Sequence, residues 1–79
     1  MTILFTLHAL ERIKHRKISR DEVIACIINP DKTERFREIT KAIKKINDQV
    51  LVVYYRHEDE NIIVITAYKS SRIHKHLKG

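Results

Sequence analysis

His8 and Arg12 stand four residues apart in Phe5-Thr6-Leu7-His8-Ala9-Leu10-Glu11-Arg12, where a first helix is expected to begin. That spacing puts both side chains on one helical flank, one turn apart. A titratable imidazole beside a permanent cation is what proton transfer at a phosphate requires. On this reading His8 is the general base or acid, and the fork-shaped Arg12 guanidinium binds a phosphate oxygen. Thr66 and Tyr68, near the end of the last strand, supply hydroxyls that could hold or protonate the same group, and Arg56 could clamp it. The commoner reading of such a short motif is plainer: a histidine that caps or bonds locally, an arginine on a solvated face, and hydroxyls satisfied at a strand end. Arg56 equally fits a surface ion pair with Glu58 or Glu60.

The elements that must position these residues follow from the pattern of apolar side chains. Leu7, Leu10 and Ile13 keep the helical period, which predicts a helix from Leu7 to Lys17 with a basic outer face. Ser19-Arg20-Asp21-Glu22 reads as a capping box opening a second helix over Val23, Ile24, Ala25, Cys26, Ile27 and Ile28. Asn29-Pro30-Asp31 stops it. Thr33 to Thr40 alternates only loosely, and Lys41 to Asn47 fits strand or helix. Gln49 to His57 and Ile62 to Lys69 are rich in Val, Ile and Tyr and read as strands joined by the polar turn Glu58-Asp59-Glu60-Asn61. Their continuous apolar runs suggest central strands covered on both faces. Regular alternation puts Ile62, Val64, Thr66 and Tyr68 on one face of the last strand, and Ile63, Ile65, Ala67 and Lys69 on the other. Arg72 to Leu77 reads as a short final helix. Two helices followed by three or four antiparallel strands give an α+β domain with helices on one sheet face, a single domain over 1–79.

Composition narrows the partners. The chain has 79 residues, of which 43% are hydrophobic, enough for one small core. Its formal net charge of +6 favours an anionic partner, nucleic acid first and an acidic protein second. Arg12, Lys14, Arg16, Lys17 and Arg20 crowd the first third against Glu11, and Lys69, Arg72, Lys75 and Lys78 close the chain. Lys14, Arg16, Lys69 and Arg72 are the residues expected to hold a nucleic-acid backbone. Cys26 is a lone cysteine inside an apolar run, which fits a small buried hydrophobe better than a nucleophile or a zinc ligand. His74 and His76 diverge at their spacing and read as part of a basic, solvated tail. The apolar start Met1-Thr2-Ile3-Leu4-Phe5 lacks the basic lead of a signal peptide, and no segment is long enough to span a bilayer, so a cytoplasmic protein is expected.

Leu7-His8-Ala9-Leu10-Glu11-Arg12, Arg16-Lys17-Ile18-Ser19, Glu22-Val23 and Asn29-Pro30, followed by Val52-Val53-Tyr54 and Ile65-Thr66-Ala67-Tyr68, together resemble a family of small His-Ala-x-x-Arg domains. That family is similar to a branch of the RelE/ParE toxin superfamily, with BrnT-type toxins among its neighbours. The resemblance implies a RelE-like fold, two N-terminal helices on a twisted antiparallel sheet, and metal-independent RNA cleavage without a cofactor. His8 and Arg12 match its helix motif, Thr66 and Tyr68 its last-strand motif, and Arg56 enters on geometry alone. The activity so implied is a toxin endoribonuclease. His8 would take the proton from a ribose 2′-hydroxyl that attacks the adjacent phosphorus, Arg12 and Arg56 would stabilise the added charge, and Tyr68 or His8 would protonate the leaving oxygen. The partners would be RNA, including ribosome-bound mRNA, and an acidic antitoxin, with oligomerisation open. Two alternatives stand beside it: a non-catalytic nucleic-acid-binding module, and a protein-interaction domain using a strand edge or the apolar N-terminus.

Overall fold

The structure is a computed structural model and describes residues 2–77, so Met1 and the C-terminal Lys78 and Gly79 lie outside it. In chain order the elements are β1 (Thr2–Phe5), α1 (Leu7–His15), α2 (Arg20–Ile28), β2 (Lys32–Phe36), β3 (Ile39–Ile46), β4 (Gln49–Glu58), β5 (Asn61–Ser70) and α3 (Ile73–Leu77). The architecture is α+β. The sheet has five strands in the order β1-β5-β4-β3-β2. β1 runs parallel to β5 and every other pairing is antiparallel.

Local chemistry sets both helices. Thr6 caps α1, its hydroxyl accepting from the Ala9 N–H at 3.0 Å. α1 stops two residues short of Lys17 because Lys17 turns left-handed at φ 58°. Lys17 N–H then donates to the Lys14 carbonyl at 3.2 Å and Ile18 N–H to the Ile13 carbonyl at 2.8 Å, a Schellman closure with a lysine where glycine is usual. Ile18 is thereby folded back into the core against Ile13. Ser19 and Glu22 form the capping box that the sequence announced, at 3.1 and 3.0 Å. α2 ends before Pro30.

The sheet departs from expectation in three ways. It has five strands and is mixed, not three or four antiparallel ones, because Thr2–Phe5 pairs alongside Asn61–Val64 and Lys32–Phe36 pairs with β3. β2 keeps four of its five residues exposed, so its strand character comes from pairing and not from an apolar pattern. The helices also fall on both faces. Ala9, Ile13, Val23, Cys26 and Ile27 of α1 and α2 pack with Ala42, Leu51, Val53, Val64 and Ala67. Ile73 and Leu77 of α3 pack with Ile43, Val50 and Val52 on the other side. Val50 to Val53 are consequently all buried, as expected for a strand covered on both faces.

Strand parity is the third correction. Tyr54 pairs with Thr66 but Tyr55 pairs with Val64, so Ile65 is an extra residue in a β-bulge. Alternation is broken there. Ile62 and Val64 face α1 and α2, whereas Thr66 and Tyr68, expected on their face, turn toward α3 with Val52 and Tyr54.

Candidate nucleic-acid interface

α1 is narrow in what it buries. Ala9 and Ile13 point into the core, while His8 and Arg12 are exposed on the adjoining flank. Arg16 extends this flank by one more turn. Its guanidinium Nη1 donates to the Ala67 carbonyl at 2.8 Å and lies 3.5 Å from the Thr66 hydroxyl. The ridge His8–Arg12–Arg16 therefore runs beside the outer edge of β5, beyond Val64, where pairing with β1 stops. Arg16, expected to hold nucleic acid, is tied to that edge and satisfies one of its carbonyls.

On the opposite flank of α1, Leu10, Ile13 and Ile18 floor a groove of about 320 Å³ with Lys14 and Arg20 at its rim. Lys14, Lys17 and Arg20 are exposed. Sequence reasoning named Lys14 but left Arg20 out of the expected contacts, although the Ser19 cap already fixed Arg20 at the start of α2.

The remaining expected site residues lie elsewhere. Arg56 is paired with Glu58, the surface ion pair that the sequence offered as the plainer reading. Lys69 reaches the Glu22 carboxylate at 3.2 Å. The Ser19 backbone N–H, more than Lys69, holds that carboxyl below its ordinary range. Arg72 is exposed beyond the end of β5. Tyr68 stacks beside Tyr54 with ring centres 6.4 Å apart. Burial, then the neighbouring Tyr54, raises the Tyr68 hydroxyl above its usual pKa, so it stays protonated well past neutrality. Thr66 and Tyr68 come together with Tyr54 on the α3 side, and Arg16 is the link from α1 to Thr66. His8 and Arg12 stand exposed on α1, whose buried side joins the first core.

Two side chains show how local and distant signals differ. Cys26 is fully buried, its Sγ 3.5 Å from the Ala42 carbonyl, and burial pushes the thiol up to about 12. It is packing, as its apolar run implied. His76 is the opposite case: it is buried, not part of a solvated tail. Its place three residues after Ile73 and next to Leu77 was the available signal for an inward face. Among the described residues no three His, Cys, Asp or Glu side chains gather as a metal site would need. No described helix is long and apolar enough to cross a membrane.

No curated protein and no solved structure matches the chain. The profile of the family described as Domain of unknown function (DUF4258) matches residues 5–69, from the last residue of β1 through most of β5, which is well over half of the 79 residues. The chain belongs to that family.

Proposed function

We propose that this protein is a non-catalytic nucleic-acid-binding module that holds a phosphate backbone along α1 and the first turn of α2. One observation carries the reading. The four ion pairs among the described residues use Lys32, Lys41, Arg56 and Lys69. Arg12, Lys14, Lys17 and Arg20 are all exposed and none is neutralised by a carboxylate. Four exposed, unpaired cations on α1, its C-terminal turn and the start of α2, in a molecule with net charge +6, form a footprint that polyanion binding can use. The resemblance to RelE-type domains, with the finer helix-on-sheet packing it implies, favours RNA as the ligand.

Binding is preferred to cleavage because the Tyr68 phenol packs with Tyr54 and α3, and among the described residues no hydrogen bond joins it to His8 or Arg12. His8 and Arg12 stand on α1, and Tyr68 packs with α3. The discriminating experiment incubates labelled single-stranded RNA with the protein in chelator. Retained full-length RNA with a salt-sensitive shift is the expected result. Cleavage that disappears in both His8→Ala and Arg12→Ala would replace this reading with a toxin endoribonuclease.

A further inference from the structure

α3 brings an unusual passenger to the sheet. Ile73 and Leu77 pack on Ile43, Val50 and Val52, and His76 goes in with them. It is the single buried polar side chain among the described residues, 6% exposed. Its ring stands edge-on to Tyr68 at 6.1 Å, and its Nδ1 has no hydrogen-bond partner. Docking α3 therefore strips water from a ring nitrogen and offers nothing in return.

The surroundings also oppose a charge there. Tyr68 faces the ring from β5, with Tyr54 stacked behind it on β4. Lys41 approaches from β3, and Lys75 and Arg72 from the α3 segment itself. Glu34 on β2 is the one opposing carboxylate, and it is engaged by Lys41 at 3.5 Å and Lys32 at 3.6 Å. Burial first, then Lys41 and Lys75, hold the imidazole below its ordinary 6.5.

α3 is also built to leave. It has five residues, too few to be helical without the sheet under it. It follows β5 through Ser71 and Arg72, so it can swing out without breaking a strand pairing. It lies beyond residue 69, where the family match ends.

We propose that α3 is a proton-released cover: charging His76 lifts Ile73–Leu77 off the sheet and bares Ile43, Val50 and Val52 beside Tyr54 and Tyr68. The device is independent of the basic α1–α2 surface, since it works on the opposite face. Its sign follows from linkage. The released imidazole titrates near its ordinary value and the docked one lower, so the released form binds more protons. Docking is favoured above about pH 6.5. Below it the released-to-docked ratio climbs by up to about tenfold per pH unit until the docked ring also titrates.

Hydrogen exchange on the full chain at about pH 7.5 and about pH 5.5, corrected for the intrinsic chemistry of exchange, tests this. Amides of Ile73–Leu77 are expected to lose protection by about tenfold on acidification while Val52 and Val53 keep theirs. His76→Phe should hold α3 down at both values, and His74→Phe, on the exposed side of the same helix, should leave the response intact. Unchanged protection, or a loss that persists in His76→Phe, overturns the proposal. Should His76→Phe not fold, an NMR titration of the native chain decides. A His76 midpoint below the ordinary value, with Tyr68 ring signals moving at the same midpoint, supports it, and a midpoint at or above that value overturns it.

Discussion

Arg12 and Arg16 are one turn apart and have different work. Arg16 spends its guanidinium on the Ala67 carbonyl, while Arg12 keeps all its donors for solvent or a ligand. Replacing Arg12 or Lys14 by alanine should weaken RNA binding uniformly across sequences and reduce the salt slope of log K by about 0.7 each, the loss of one phosphate contact on a single strand. Filter binding over a salt series reads this. Glu22 carries a second residue-level prediction. Its carboxyl titrates below the ordinary 4.5 in the folded chain, so its contribution is complete above that value and is lost as pH falls through the folded pKa. The Glu22→Gln variant should show a flatter loss of stability in acid by at most about 1 kcal/mol, the pair with Lys69 being partly solvated, as thermal melts at several pH values will show. Residue roles set by near neighbours were legible in the sequence: the Ser19–Glu22 box and buried Cys26. The role of Arg16 was not, because it depends on where β1 stops beside β5, and the burial of His76 was marked only by its three-residue step from Ile73 in a helix too short to show a period.

Elements differ in how much of their own definition they carry. α2, β4 and β5 were readable because cap, period and β-branched runs all agree within each segment. β2 holds one large apolar residue, Phe36, which is itself exposed, so nothing inside Lys32–Phe36 announces a strand and pairing with β3 makes it one. The bulge at Ile65 is equally silent in the sequence, yet it decides that Thr66 and Tyr68 face α3. The end of α1 offers a direct test of the Schellman closure. Lys17 sits at φ 58°, where a Cβ costs about 1 kcal/mol relative to glycine. Lys17→Gly should therefore stabilise the fold by up to about 1 kcal/mol and raise the melting temperature by several degrees. Ser19→Ala should do the reverse, costing about 1 kcal/mol through the lost cap. Calorimetry on the two variants measures both.

At the scale of the whole molecule, the sheet separates two surfaces. One carries α1, α2 and their unpaired cations, and the other carries α3 over an apolar strip. The positive charge legible in the composition gains detail once the ion pairs are known, since they engage Lys32, Lys41, Arg56 and Lys69 and leave the α1–α2 cations without a carboxylate, as they also leave the exposed Arg35, Arg37, Lys45, Arg72 and Lys75 elsewhere on the surface. The most direct test is fluorescence anisotropy of labelled single-stranded RNA in chelator, over a range of salt, with the native chain and a triple Arg12→Glu, Lys14→Glu, Arg20→Glu variant. The native chain should bind with an affinity that falls steeply as salt rises, and the variant should bind far more weakly with a slope shallower by about 2. Native binding that ignores salt, or a variant that binds like the native chain, would contradict the assignment of this face.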